Sequence, residues 1–269
     1  MRIESIAIKN YRVFKDAELS NLSGMSVLVG ANGSGKSTLF DVFGFLRDAL
    51  QNNVDKALAR RGGFKEVRSR EATGPIGFDI KFRDKSGPLV TYSLRIGLKD
   101  NRPVVERELL KYRRGQRGKP WHFLDFQNGR GLAVTNEEDY GKPDAEIKRD
   151  EQKLDSPDIL AIKGLGQFQK FKVVSSFRKL IENWHVSNFH IEYARSSQDA
   201  GYAEHLNEKG ENVALVAQFL YERHRDIFDE ILKKMSERVP GVKEIKATTT
   251  EEGKILLRFQ DGAFKDPFV

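Results

Sequence analysis

The chain has 269 residues, 39% of them hydrophobic, and 46 Lys and Arg against 39 Asp and Glu for a net charge of +7. That is material for one large core or two modest ones, and a basic surplus compatible with a polyanionic partner. It has no cysteine, which excludes disulfides, thiol catalysis and Cys-based zinc sites and points to a reducing compartment such as the cytoplasm. Nor does any apolar run approach the roughly 20 residues of a membrane-spanning helix, so no membrane partner is expected.

Ile3, Ile6 and Ile8 open the chain as a strand, a turn follows at 9–12, and a second short strand is expected from Ala17 to Leu22. Ser23-Gly24 leads into Met25-Ser26-Val27-Leu28-Val29, an apolar run too short for a helix and rich in β-formers, so a buried strand is expected there. After a glycine-rich segment, Leu39, Phe43, Leu46 and Leu50 recur as the stripe of an amphipathic helix. From Ile76 the period becomes two. Ile76, Phe78, Ile80 and Phe82, then Val90, Tyr92, Leu94, Ile96 and Leu98, predict a hairpin turning at Lys85-Ser86-Gly87-Pro88. Strands over Val104 to Tyr112 and Trp121 to Phe126 extend it into an antiparallel meander with one wet face.

Asn136 to Pro157 is polar and weakly patterned, and reads as a loop or insertion. Helix is expected from Phe171 to Trp184, a short strand around Phe189-His190-Ile191, and a loop from Arg195 to Asn207. One long helix then runs from about Glu211 to Arg238, ended by Pro240-Gly241, and a hairpin spans Val242 to Phe259. The expected organisation is a nucleotide-binding segment at 1–55, an antiparallel β subdomain with basic loops at 56–135, a polar insertion at 136–170, and a helical region with a C-terminal hairpin at 171–269.

Gly30-Ala31-Asn32-Gly33-Ser34-Gly35-Lys36-Ser37 matches the P-loop pattern at every fixed position. Glycines at 30, 33 and 35 permit backbone angles that side chains forbid, so successive N–H groups can face one anion. The helix starting near Lys36 adds its positive end. Lys36 would reach the β- and γ-phosphates, Ser37 would ligate Mg²⁺, and Thr38 would address the α-phosphate. ATP with Mg²⁺ is therefore the expected ligand. A glycine turn that merely caps a helix is the plainer reading, and the order strand, loop, helix argues against it.

Ile6-Ala7-Ile8-Lys9-Asn10-Tyr11-Arg12-Val13-Phe14, followed at short distance by Leu28-Val29 and the P-loop through Leu39, resembles the opening of RecF- and SMC-like ABC ATPase heads, including OLD-type and other AAA-labelled bacterial ATPases. The resemblance implies an α/β P-loop NTPase fold, an ABC-type head N-lobe with an antiparallel β subdomain and a helical region. It also implies action on or with DNA in genome maintenance or phage defence, as a homodimer or with a partner subunit completing the ATP site. Arg12 would then lie close to the nucleotide; the alternative is a turn arginine paired with an acid such as Asp16. A Gln sensing metal and water is also implied, with Gln167, Gln169 and Gln198 as candidates.

Such heads further need an apolar strand ending in Asp-Glu, a Ser-Gly signature segment and a His switch. Leu22-Ser23-Gly24 precedes the P-loop and reads as a turn. Ile227-Phe228-Asp229-Glu230 follows Arg225 and Asp226 and has helical spacing, which argues against a buried strand. The expectation is an N-terminal half, an ATPase only when the other half is supplied; no catalytic residue is assigned. The alternative is a non-catalytic, nucleotide-gated DNA-binding or assembly module. A kinase or GTPase is disfavoured because no Asn-Lys-x-Asp motif occurs.

Two basic clusters are candidates for tracking a phosphate backbone: Arg60, Arg61, Lys65 and Arg68, and Arg113, Arg114, Arg117 and Lys119. A solvated, ion-paired surface is the ordinary fate of such runs.

Overall fold

The computed structural model describes residues 1–83, 87–112, 120–137, 139, 142–143, 146–167, 171–239 and 241–262. They divide into two compact units, Met1–Trp184 and His185–Val269.

The first unit is built on one eight-stranded sheet. Its strands are β1 (Arg2–Tyr11), β2 (Phe14–Leu19), β3 (Ile76–Arg83), β4 (Leu89–Lys99), β5 (Arg102–Tyr112), β6 (Trp121–Gln127), β7 (Arg130–Val134) and β8 (Arg149–Lys153). They lie in the order β2-β1-β3-β4-β5-β6-β7-β8, and every pairing is antiparallel. The alternating residues Ile76, Phe78, Ile80, Phe82, Val90, Tyr92, Leu94 and Ile96 are all buried, as the period of two required. They share one core with helices α1 (Lys36–Gln51), α2 (Val54–Ala59), α3 (Phe64–Val67), α4 (Ala161–Leu165) and α5 (Lys172–Glu182). The opposite face carries the ion pairs Arg95–Asp79 (2.5 Å) and Arg107–Asp125 (2.9 Å) and is the wet one.

Three features of this unit depart from expectation. Met25 to Val29 pairs with no strand among the described residues, and Met25, Val27 and Val29 are 83%, 76% and 92% exposed. The β-forming residues are there, but a strand exists only where a neighbour supplies hydrogen bonds. The region from 56, read as a β subdomain with basic loops, opens with most of α2 and with α3, and Asn53 Oδ1 accepts from Lys56 N–H (2.9 Å) as the N-cap of α2. The polar insertion holds β8, an edge strand whose all-polar sequence gives no apolar alternation to read.

Two buried carboxylates tie helices to this frame. Glu108 on β5 accepts from Tyr92 Oη (3.1 Å) and from the Ala161 and Ile162 N–H groups at the start of α4. Glu137 accepts from the N–H groups of Val173 (2.7 Å) and Val174 (3.2 Å) in the first turn of α5. Neither helix has an acid in its own first turn, so distant residues satisfy amides that a local cap ordinarily would.

The second unit contains α6 (Ile191–Ala194), β9 (Gln198–Asp199), α7 (Val213–Arg223), α8 (Arg225–Arg238), β10 (Val242–Thr249) and β11 (Lys254–Asp261), with sheet order β10-β11-β9. The expected strand near 189–191 is instead the approach to α6 and its first residue. The single long helix is two, broken at His224 (φ −139°, ψ 58°), which lets Ala217 and Leu220 of α7 pack in one cluster with Phe228, Leu232 and Met235 of α8. Asp229 and Glu230 lie on α8, where Asp229 pairs with Arg225 (2.9 Å). Among the described residues no helix is long and apolar enough to cross a membrane.

Candidate functional site

The P-loop joins an exposed segment to the N-terminus of α1, and Gly30 through Ser34 are all exposed. Gly33 and Gly35 have φ of 82° and 96°, a region that side chains strain to occupy. At Gly35 space forbids a side chain as well, since a Cβ would stand 2.7 Å from the Phe14 ring and 2.9 Å from Val13. Lys36 Nζ donates to the carbonyls of Gly30 (2.7 Å) and Ala31 (2.8 Å), which places the ammonium across the loop. Gly35 is the N-cap of α1 and contributes no side-chain bond, and the first turn contains no acid. The 16-residue helix thus supplies no acid of its own to its positive end. Loop amides, the Lys36 ammonium and the hydroxyls of Ser37 and Thr38 form a donor set that fits a phosphate chain.

The turn between β1 and β2 packs on Gly35 through Val13 and Phe14, and Arg12 precedes them in that turn. Arg12 adopts φ 51° and its N–H donates to Val67 O (2.7 Å), while Ser69 Oγ donates to Phe14 O (2.9 Å), so α3 and its C-terminal extension hold the turn. The Arg12 partner is Asp41 on α1 (Nε to Oδ2, 3.2 Å); Asp16 pairs with Lys9. Asp41 also accepts from Tyr11 Oη (2.7 Å) and Arg61 Nε (2.9 Å). Burial and the neighbouring Asp41 charge raise the Tyr11 hydroxyl far above its ordinary pKa, so it remains a donor. Arg61 continues to Asp48 (2.7 Å) and lies over the Phe45 ring, while Arg60 meets the other Asp48 oxygen (2.8 Å).

This network corrects one expectation. Arg61, a candidate DNA contact, is 10% exposed and engaged with two carboxylates, so it ties α2 to α1 rather than facing a ligand. Arg60 is 57% exposed but also ion-paired. Lys65 is exposed, and Arg68 lies over the Phe64 ring. Arg113, Arg114, Arg117, Lys119 and Gln169 lie outside the described residues. Gln167 follows α4 in the first unit, whereas Gln198 is in β9 of the second.

Residues 25–140 match the family model described as "AAA domain, putative AbiEii toxin, Type IV TA system". Over that stretch the chain is similar to AAA-type ATPase domains. Among solved structures, one reported under "Structural biochemistry of ATP-driven dimerization and DNA stimulated activation of SMC ATPases" is 20% identical. It covers 44% of this chain and 74% of that chain, with a TM-score of 0.31. Comparison with curated proteins gives no match.

The carboxylates of this ion-pair network went unnoticed in the sequence. Asp41 and Asp48 are seven residues apart, two turns of helix, and so share one face of α1. Two acids on one face, with Arg60-Arg61 soon after, is the signal that would have found them.

Proposed function

We propose that the head binds ATP with Mg²⁺ at Gly30 to Thr38, with Arg12 beside the phosphates. Nucleotide occupancy would then promote association with a second ATPase element, from a second copy or a partner subunit. The observation that carries this reading is the N-terminus of α1, with no acid in its first turn, behind a loop in which Gly33 and Gly35 hold positive φ and Gly35 has no room for a side chain. Backbone amides and Lys36 would hold the phosphates. Ser37 would supply a hydroxyl to Mg²⁺, with nucleotide oxygens as the other ligands, because among the described residues no three His, Asp or Glu cluster to hold a metal.

The exposed Met25–Val29 run supports completion of the site by another polypeptide strand, since it sets unpaired β-forming residues directly before the loop. Action on DNA, in genome maintenance or phage defence and in the cytoplasm, is the wider setting we propose. It is supported by the basic balance and the exposed Lys65.

Titration calorimetry of ATP–Mg²⁺ against the chain and its Lys36→Ala variant tests the binding reading. Loss of the ammonium should weaken binding by about 10- to 100-fold, and unchanged affinity would remove the site assignment. Turnover measured alone, then with a complementing ATPase half, separates an enzyme part from a nucleotide-gated module. Activity only in the mixture supports the first.

A further inference from the structure

The carboxylate of Asp41, on α1, has two hydrogen-bond donors and one ion-pair partner. Tyr11 Oη (2.7 Å) and Arg12 Nε (3.2 Å) meet Oδ2, and Arg61 Nε (2.9 Å) meets Oδ1. The cluster of Arg12, Arg60 and Arg61 with Asp41 and Asp48 has three positive charges and two negative ones. Arg61 spans both carboxylates and Arg60 faces Asp48, so the surplus charge falls on Arg12. That side chain is 39% exposed, and its ion pair with Asp41 runs through Nε at 3.2 Å. A guanidinium has five N–H donors in a fixed fork, so contact through Nε leaves both terminal amino groups for an anion. The backbone is held too: Arg12 N–H is bound by Val67 O, and the next residue, Val13, lies against Gly35.

We propose that Asp41 is the positioning residue for Arg12, fixing its guanidinium edge-on beside the P-loop so that the terminal amino groups meet the nucleotide's phosphates. Tyr11 and Arg61 in turn hold Asp41, so the anchor is itself braced from two sides. An arginine restrained before the ligand arrives loses less freedom on binding it. This inference rests on the P-loop binding ATP.

A double-mutant cycle read by ATP–Mg²⁺ calorimetry tests it, using wild type, Arg12→Ala, Asp41→Asn and the double variant, with Lys36→Ala as control. Arg12→Ala and Asp41→Asn should each weaken ATP binding about tenfold, and the double variant should be no weaker than Arg12→Ala alone. A merely structural Asp41 would cost the same factor in both backgrounds, and that result overturns the proposal, as does wild-type affinity in Asp41→Asn. If Lys36→Ala retains full affinity, the P-loop reading itself fails; if Lys36→Ala binds weakly while the cycle is additive, only this inference fails. Should Asp41→Asn not fold, Arg12→Lys serves instead. It keeps the charge but lacks Nε, so it should bind about as weakly as Arg12→Ala, and wild-type affinity in it overturns the proposal.

Discussion

Raising the pH from about 5 to about 7.5 should loosen the first unit, and Glu108 allows the size of the effect to be worked out. Its side chain is fully buried, and burial raises the carboxyl to about 7 even though the Ala161 and Ile162 N–H groups and the Tyr92 hydroxyl favour the charged form. Glu137 is raised to about 7 for the same reason, against its own backbone donors. In the unfolded chain a glutamate titrates near 4.3. Between those values the native state binds more protons than the unfolded state, so stability is greatest below the lower value and falls as pH rises to the upper one. The full difference is about 4 kcal/mol per carboxyl, of which about 2 kcal/mol falls between pH 5 and 7.5.

Urea unfolding of wild type and Glu108→Gln across that range measures it. The variant's amide nitrogen faces Ala161 N–H, which lowers stability at every pH, so the informative quantity is the slope. Wild type should lose about 2 kcal/mol more than Glu108→Gln over the interval. Parallel pH dependences in the two proteins would refute the reasoning.

Gly35→Ala should cost about 1–3 kcal/mol, from a positive φ and a Cβ against Phe14, and should remove ATP binding; a thermal melt and calorimetry check both. Arg61→Met leaves Asp41 and Asp48 short of their buried partner and should cost about 3 kcal/mol in urea, whereas the exposed Arg60→Met should cost less than about 1 kcal/mol. Equal losses would contradict the assignment of Arg61 as the tie between α2 and α1. Val27→Thr and Val29→Thr should change stability by no more than about 0.5 kcal/mol, because both side chains are already in water. If this run pairs with a strand of another polypeptide, the same substitutions should weaken that association in sedimentation velocity.

The hairpin of β3 and β4 was legible because its faces differ: every second residue from Ile76 to Phe82 and from Val90 to Ile96 is apolar, and one face is dry. The C-terminal hairpin and the helix from 172 to 182 were legible for similar reasons, a turn between β-formers and a strong apolar stripe. Legibility ended where the partner of a segment lies far away. Met25 to Val29 has a strand's composition without a strand's neighbour. β8 has a neighbour without the composition. Glu137 sits in a stretch that reads as solvated, yet it supplies the carboxylate that the first turn of α5 lacks.

The amino-acid sequence determined the P-loop pattern by itself, because the pattern is local: the glycines, Lys36 and Ser37 lie in one turn and the end of one helix. It likewise determined which face of the meander would be dry. Tertiary structure alone decided the partners of the charged residues. Arg12 met Asp41 rather than Asp16, and Arg61 was drawn inside rather than left for a ligand. A charge takes whichever opposite charge folding brings within a few ångströms, and residues 12, 41 and 61 become neighbours only once β1, α1 and α2 share one core.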